Sequence, residues 1–232
     1  MAFFNTAGPM NFKKHYYIQP LERFDLIEIE QLIEDEKYFI LHAPRQTGKT
    51  SCLLSLMKHL NSSCKYKCLY INVEAAQSAR ENVYRGMNAI LYEMSDRALY
   101  HLNDNDLGDI CHNMLKHRSE DIVLNSSILR WCQKNRLPVV LLIDEIDSLI
   151  GDTLISVLRQ LRSGYDKRPG TFPQSIILCG VRDVRDYRIF SEREKSIITG
   201  GSAFNIKAES LRLGNFTKQE IKKLYEFHIN YG

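Results

Sequence analysis

Residues 43–50 read Ala43-Pro44-Arg45-Gln46-Thr47-Gly48-Lys49-Thr50 and follow an apolar run, Tyr38-Phe39-Ile40-Leu41, after one intervening histidine. The stretch matches the pattern G-x-x-x-x-G-K-[ST], with alanine at the position of the first glycine. In this pattern, backbone N–H groups of a loop point inward, and the next helix presents its positive N-terminus to the same point. The result is a cradle for phosphate groups. The stretch therefore predicts a strand, a phosphate-binding loop and a helix in succession.

Two residues of this stretch carry the chemistry expected of such a loop. The Lys49 ammonium is suited to the β- and γ-phosphates of a nucleoside triphosphate, and the Thr50 hydroxyl is suited to a bound Mg²⁺. Alanine can replace the first glycine as long as the φ angle of Ala43 stays negative. We therefore predict a nucleotide-binding set made of Ala43, Pro44, Arg45, Gln46, Thr47, Gly48, Lys49, Thr50 and Ser51.

A second group of candidate residues ends an apolar run further along the chain. Residues 138–143 are continuously apolar, and Asp144 and Glu145 follow them directly. Such a run is typical of a strand buried on both faces of a parallel sheet, where ligands bind at the carboxyl ends of the strands. Asp144 is then suited to hold Mg²⁺ together with Thr50, and Glu145 to activate the water that attacks the γ-phosphate. The alternative for Asp144 and Glu145 is a solvated acidic turn, but the phosphate loop upstream makes a nucleotide site the better interpretation. Asp147 is expected to cap the next helix.

The composition restricts the classes of protein to consider. A chain of 232 residues with 44% hydrophobic residues is long enough for one full α/β core. Its 31 basic and 28 acidic residues give a net charge of +3, which does not indicate a protein devoted to coating nucleic acid. No stretch approaches the roughly 18 apolar residues of a membrane span, and no secretory signal pattern opens the chain. We therefore expect a cytoplasmic protein without a membrane partner.

Strand-like and helix-like segments alternate along the chain. The acidic stretch 104–109 places its glycine wrongly for a calcium-binding loop, so we interpret it as a connection between helices. Alternating strands and helices imply a parallel sheet with right-handed crossovers. We predict an α/β fold, a three-layer α/β/α sandwich around five parallel strands, with residues 1–20 irregular. The predicted strands are 37–42, 68–73, 138–143, 175–180 and 204–212, and the predicted helices after the phosphate-loop helix are 77–101, 119–135, 151–163 and 217–229.

Four segments together resemble a known family. They are residues 21–23, residues 42–50, residues 142–147 and residues 180–183. With a strand predicted between the phosphate loop and the acidic strand, and with aspartate followed by glutamate, they resemble the AAA-type core, a P-loop ATPase that uses a catalytic glutamate. The likeness covers about residues 15–230 and is strongest to bacterial and archaeal AAA-like domains related to origin-recognition initiators and signal-transduction ATPases. It implies ATP as the nucleotide and Mg²⁺ as its cofactor.

The resemblance implies further roles for the loop after the fourth predicted strand. AAA-type proteins place a polar sensor there, in contact with the γ-phosphate or the attacking water, and the matching residue is Asp183. An aspartate can bond the water but repels the phosphate. Arg182, Arg185 and Arg188 lie at three-residue spacing, which in a helix places them on one face. One of them can act as a charge-neutralising finger on a neighbouring subunit, or all three form a solvated basic face paired with nearby acids.

The resemblance also bears on the two ends of the chain. In similar proteins the segment before the first helix packs near adenine, which points to Tyr16, Tyr17 and Ile18; ordinary core packing is the alternative. AAA-type proteins follow the core with a helical lid, and residues 213–217 resemble its beginning. We therefore expect a nucleotide-binding core at 1–214 and the start of a mostly absent lid at 215–232, in a fragment of a longer protein.

Three functions are compatible with these residues. The first is an ATPase that converts ATP to ADP and phosphate, with Lys49, Glu145 and Asp183 as catalytic residues, and remodels a protein partner or a second copy of itself. The second is a nucleotide-dependent switch or scaffold with little turnover. The third is an initiator-like, DNA-associated ATPase whose DNA reader lies beyond residue 232; the net charge does not support nucleic acid as a partner of this segment. The first is the function we predict.

Overall fold

The computed structural model describes residues 3–5, 8 and 10–231. The segments predicted at 1–20 and 215–232 therefore fall partly outside the described residues, at positions 1, 2, 6, 7, 9 and 232. Within the described ranges, no helix is both long enough and apolar enough to cross a bilayer.

Five parallel strands form the central sheet, in the order β2-β3-β4-β1-β7. Two further strands, β5 and β6, pair as a separate antiparallel hairpin. The prediction of a five-stranded parallel sheet in an α/β fold is confirmed. The acidic strand β3 is separated from β1, which precedes the phosphate loop, by β4. The strands are β1 (Tyr38–His42), β2 (Lys67–Asn72), β3 (Val139–Asp144), β4 (Ser175–Gly180), β5 (Arg188–Ser191), β6 (Ser196–Thr199) and β7 (Lys207–Arg212).

Helices cover both faces of this sheet and make the three layers that the sequence predicted. Side chains alternate along β1, so that Phe39 and Leu41 pack in the same apolar core as α1 and α2, whereas Tyr38 and Ile40 pack in the core formed with α3 to α6. The helices are α1 (Leu26–Glu34), α2 (Lys49–Ser62), α3 (Val83–Leu102), α4 (Asp106–His117), α5 (Val123–Lys134), α6 (Gly151–Arg162), α7 (Gly200–Ala203) and α8 (Lys218–Tyr231).

Helix α4 corrects the prediction of a connection at residues 104–109. The acidic residues that suggested a loop, Asp106 and Asp109, occupy the first turn of α4, where the helix dipole favours negative charge. Leu107, Ile110 and Cys111 are buried at helical spacing. The spacing of the apolar residues therefore indicates a helix, although the acidic residues around them are typical of a loop.

The segment after β4 does not form the helix that would place the three arginines on one face. Only one short 3₁₀ turn forms, at Val184–Asp186, and Arg188 already begins β5. The hairpin that follows keeps Ile189 and Ile198 buried. Its strands are four residues each, too short for the alternating pattern to be read from the sequence. Arg182, Arg185 and Arg188 therefore do not share one helical face.

Candidate functional site

The phosphate loop connects β1 to α2 through two residues in the left-handed region of backbone space. Gln46 has a φ of 61°, and Gly48, the N-cap of α2, has a φ of 86°. The second value explains the glycine, because a side chain is strained in this region. Ala43 does not have a positive φ, so alanine is compatible with the first position of the motif. The Thr47 hydroxyl donates to the Pro44 carbonyl at 2.7 Å and closes the loop on itself.

Lys49 begins α2 and turns its side chain back over the loop. Its Nζ donates to the carbonyl oxygens of Ala43 and Pro44, each at 3.1 Å, and the side chain is buried. A buried ammonium needs such partners, since desolvating an unpaired charge is costly. The ammonium therefore lies at the phosphate loop, where it can exchange these carbonyl acceptors for phosphate oxygens.

Asp144 lies at the end of β3 and is the most fully bonded acid of the site. Its Oδ2 accepts hydrogen bonds from the Thr50 hydroxyl at 2.7 Å and the Tyr70 hydroxyl at 3.0 Å. Its Oδ1 accepts from the backbone N–H of Glu145 at 2.9 Å. Asp144 is fully buried. The structure thus brings together Thr50 and Asp144, the two residues predicted to hold Mg²⁺.

Glu145 turns away from its neighbour because its backbone is in the left-handed region, with a φ of 57°. This turn directs the residue into the cavity described below. Burial raises the pKa of Glu145, and the charges of Asp144 and Asp147 raise it further, against an opposing effect of Lys49. A raised pKa suits a carboxylate that must accept a proton during a reaction.

A cavity of about 860 Å³ lies over the phosphate loop. Ten of the predicted residues line it: Arg45, Gln46, Gly48, Lys49, Thr50, Ser51, Tyr16, Tyr17, Ile18 and Glu145. Four other predicted residues, all within the described ranges, are hydrogen-bonded to residues of this lining: Ala43 and Pro44 to Lys49, Asp144 to Thr50, and the Thr47 carbonyl to Arg23. A family model described as an AAA domain matches residues 33–187, which is more than half of the chain.

The chain belongs to the AAA domain family. Membership supports a nucleotide-binding ATPase domain, in agreement with the resemblance seen in the sequence. The matched segment includes the phosphate loop, β3 with its two acids, and β4. A comparison of the sequence with curated proteins gives no significant match.

Solved structures share the fold of this AAA domain at low sequence identity. Cdc6p from Pyrobaculum aerophilum is 17% identical, with a TM-score of 0.53 over 92% of this chain and 49% of that protein. A Walker-type ATPase of Pyrococcus abyssi is 13% identical, with a TM-score of 0.57 over 98% and 63%. Domain III of the replication initiation protein DnaA from Thermotoga maritima is 16% identical, with a TM-score of 0.51 over 97% and 78%. At these identities the likeness shows the fold alone, and the chain spans only about half to two thirds of the first two proteins.

Asp183, the predicted sensor of this AAA domain, is not among the residues that line the cavity. Its carboxylate accepts hydrogen bonds from the nearly buried Lys207 ammonium and from the Arg185 guanidinium at 3.0 Å. Although burial opposes it, these bonds hold the pKa of Asp183 well below its usual range. Its catalytic role stays a prediction, and these contacts favour a structural one. Arg182 and Arg188 are exposed, and neither is placed at the cavity.

The N-terminal segment and α8 meet at the open side of the cavity. Phe4 lies 5.1 Å from Tyr16 and 5.4 Å from His228, measured between ring centroids, and the Tyr16 hydroxyl is 3.2 Å from Nδ1 of His228. Phe4, Tyr16, Phe216 and Leu224 all line the cavity. The side predicted to receive the base is therefore built from both ends of the chain.

Two residues of the site had no role assigned from sequence. Tyr70 on β2 donates to Asp144, and Arg23 donates to the carbonyl oxygens of Thr47 and Gly214. Both contacts join residues far apart in sequence. Tyr70 is in a strand whose position beside β3 is a property of the fold, so no local pattern indicated it.

Proposed function

We propose that this AAA domain binds ATP together with Mg²⁺ and hydrolyses the ATP to ADP and phosphate. The proposal is carried by one observation: Thr50 on the phosphate loop is hydrogen-bonded to Asp144, and Glu145, next in sequence, lines the same cavity as Lys49. The residues that we propose to bind phosphate and the acid that we propose as the base thus share one cavity. Family membership agrees with this chemistry.

Binding of the triphosphate rests on the loop and on Lys49. The helix dipole and the N–H groups at the start of α2 favour negative charge at the loop. Lys49 is held by two carbonyl oxygens at 3.1 Å, and we propose that its ammonium exchanges them for β- and γ-phosphate oxygens. A charge-assisted bond to phosphate is stronger than a bond to a neutral carbonyl, which favours the exchange.

Thr50 and Asp144 fit the requirements of Mg²⁺. Both present oxygen atoms, the ligand type that Mg²⁺ prefers, and these oxygens are 2.7 Å apart. We propose that they hold the ion, directly or through its waters. When bound, the ion supplies positive charge that neutralises the β- and γ-phosphates.

Glu145 is the residue we propose as general base. It lines the cavity, and its raised pKa keeps its proton affinity closer to neutral pH than that of an ordinary glutamate. Its task is to orient the attacking water and accept the proton that the water loses. Asp144 is less suited to this task, because it is fully buried, accepts three hydrogen bonds and does not line the cavity.

Coupling of turnover to remodelling of a partner is a further part of the proposal. Arg23 bonds the phosphate loop at Thr47 and the segment before α8 at Gly214, so a change in the loop has a direct connection to α8. We propose the division predicted from sequence, with a core at 1–214 and the start of a helical lid at 215–232. The partner is inferred to be a protein or a second copy of the chain.

A switch with little turnover is the second candidate. The observation in its favour is that Lys207 and Arg185 hold the Asp183 carboxylate, which leaves the predicted sensor engaged in ion pairs. Such a protein binds ATP in the same cavity and uses Glu145 little.

The test measures ATP binding by calorimetry and phosphate release in steady state, each with and without Mg²⁺, on the wild type, Lys49→Ala and Glu145→Gln. We expect Lys49→Ala to lose binding, and Glu145→Gln to bind ATP as the wild type does while phosphate release falls by at least about 100-fold. Lys65→Ala, at an exposed lysine that pairs with Glu34 and does not line the cavity, is the control. Wild-type binding without measurable phosphate release, unchanged in Glu145→Gln, would establish the switch instead.

A further inference from the structure

Tyr70 is buried inside the sheet, two residues before the end of β2. The register of β2 and β3 places Tyr70 opposite Leu142 and Asn72 opposite Asp144. Side chains of Leu142 and Asp144 lie on the same face of β3, because neighbours alternate along a strand. The long tyrosine side chain therefore reaches diagonally across to Asp144, and its hydroxyl donates to Oδ2 at 3.0 Å.

The hydroxyl of Tyr70 shares one carboxylate oxygen with Thr50. Oδ2 of Asp144 accepts from both hydroxyls, while Oδ1 accepts from the Glu145 N–H. Three donors from three separate elements determine the orientation of this carboxylate. Thr50 is itself a proposed ligand of the metal, and the Glu145 N–H belongs to the backbone. Tyr70 is therefore a hydroxyl donor whose contact with Asp144 does not involve the phosphate loop; the Cys179 thiol on β4, a weaker donor, also bonds this carboxylate.

A side chain of α3 packs on the ring of Tyr70. The guanidinium of Arg97 lies 5.4 Å from the ring centroid and is fixed by a bond to Glu93 at 2.7 Å. Glu93 also accepts from the backbone N–H of Asn72 at 3.3 Å, which ties α3 to the end of β2. A phenylalanine can fill the same space, so what the tyrosine adds to packing is its bond to Asp144.

We propose that Tyr70 is a positioning residue for the metal-binding carboxylate: its hydroxyl fixes Asp144 in the orientation that Mg²⁺ requires. This inference rests on the proposed Mg²⁺-dependent binding of ATP. Donors that orient a metal ligand contribute to metal affinity, and their removal typically weakens it by about 10–100-fold. Tyr70 itself does not contact the nucleotide phosphates, because it does not line the cavity.

The test compares Tyr70→Phe with Tyr38→Phe. Tyr38 is equally buried, lies on a strand of the same sheet, and donates its hydroxyl to the Pro173 carbonyl at 2.9 Å. Both variants lose one buried hydroxyl and one hydrogen bond, so effects on folding alone appear in both. The readout is binding of a fluorescent ATP analogue, first in EDTA and then as a function of Mg²⁺ concentration, alongside thermal melting of each protein.

We expect Tyr70→Phe to require about 10-fold more Mg²⁺ for half-maximal tightening of nucleotide binding, with its affinity in EDTA unchanged. Tyr38→Phe should match the wild type in both measurements. Mn²⁺, which like Mg²⁺ suits carboxylate and water ligands, should restore nucleotide binding to Tyr70→Phe at saturation, as it cannot for a misfolded protein.

Equal Mg²⁺ dependence in Tyr70→Phe and Tyr38→Phe would overturn the inference, as would failure of saturating Mn²⁺ to restore binding to Tyr70→Phe. If nucleotide binding by the wild type itself does not depend on Mg²⁺, the proposed function fails with it. A weaker response to Mg²⁺ in Tyr70→Phe alone, restored by Mn²⁺, supports both the inference and the proposed function.

Discussion

The Thr50 hydroxyl lies 2.7 Å from Oδ2 of Asp144, and this contact joins the first turn of α2 to the end of β3. The two residues are 94 positions apart, and in the sheet β4 lies between β3 and β1, the strand that leads into the phosphate loop and α2. A side-chain hydrogen bond of this length shows that the phosphate loop and the acidic strand are already assembled against each other. Pre-assembled ligands lower the entropy cost of binding a metal and a nucleotide.

The first prediction concerns the Thr50 hydroxyl. Thr50→Ala removes a proposed Mg²⁺ ligand and a donor to Asp144, so we expect Mg²⁺-dependent tightening of ATP binding to weaken by at least about 10-fold. Thr50→Ser keeps the hydroxyl and should keep most of the effect. Calorimetric titration with ATP at several Mg²⁺ concentrations measures both. Equal losses in the alanine and serine variants would show that the methyl group, not the hydroxyl, is what matters.

The second prediction concerns the pH dependence of turnover. Burial, reinforced by Asp144 and Asp147, raises the pKa of Glu145. A general base works in its ionised form, so turnover should rise with pH as Glu145 loses its proton. The acid limb of kcat against pH should therefore lie above the ordinary glutamate pKa of about 4.3.

Steady-state phosphate release at saturating ATP, measured across pH with constant ionic strength, gives this profile. ATP affinity measured over the same range is the control, because it separates loss of the base from loss of binding. A kcat that stays constant from neutral pH down to the ordinary glutamate range would contradict Glu145 as the base.

The parts of the site that the sequence predicted are those with local patterns. The phosphate loop needs a glycine with positive φ and a helix directly after it, and both are encoded within Gly48-Lys49-Thr50. The acidic strand is a continuous apolar run because β3 is buried on both faces. The conformation and burial of such segments can be predicted from their own residues.

Other features depend on which elements become neighbours. The Tyr70 hydroxyl meets Asp144 only because β2 pairs with β3, and Arg23 meets Gly214 only because both ends of the core meet at the phosphate loop. The matching of Asp183 to a sensor came from motif position, which carries no information about its pairing with Lys207 on β7. Helix α4 was missed for a different reason, since its acidic first turn resembled a loop.

The third prediction concerns Arg23. Its guanidinium donates to the carbonyl oxygens of Thr47 and, at 2.6 Å, of Gly214, and it lies 3.9 Å from the centroid of the Phe216 ring. Hydrogen bonds from a charged donor contribute about 1.5–3 kcal/mol each. We expect Arg23→Ala to weaken ATP binding by about 10-fold, since about 1.4 kcal/mol corresponds to that factor. We also expect ATP to slow hydrogen exchange at the amides of α8 in the wild type, and Arg23→Ala to abolish this effect.

Calorimetry and hydrogen exchange, each with and without ATP, measure the two effects of Arg23→Ala. Arg168→Ala is the matched control, because Arg168 also stacks on an aromatic ring, 3.4 Å from the Tyr165 centroid, and also donates to a carbonyl, but does not line the cavity. The same loss of ATP-dependent protection in Arg168→Ala would show that general destabilisation, not the Arg23 contact, is responsible.

The fourth prediction separates a structural from a catalytic role of Asp183. The Lys207 side chain is 3% exposed and that of Asp183 is 10% exposed, so each is the main charge partner of the other inside the protein. Breaking a buried pair from one side leaves an uncompensated charge and costs about 3–5 kcal/mol. We expect this loss of unfolding free energy for Asp183→Asn, which leaves the Lys207 ammonium buried without its carboxylate. The loss should be smaller for Lys207→Met, because the Arg185 guanidinium still pairs with Asp183. The double variant should recover much of it, because no buried charge is left alone.

Chemical denaturation of the four proteins as a function of pH measures this coupling. Because the pKa of Asp183 is lowered in the folded state, its contribution to stability is present above the pKa of an unfolded aspartate and is lost as the pH falls through the folded value. The advantage of the wild type over Asp183→Asn should therefore shrink in acid. Turnover of the double variant then decides the role: recovery with stability makes Asp183 a structural partner of Lys207, whereas a stable double variant without phosphate release would make Asp183 a catalytic residue.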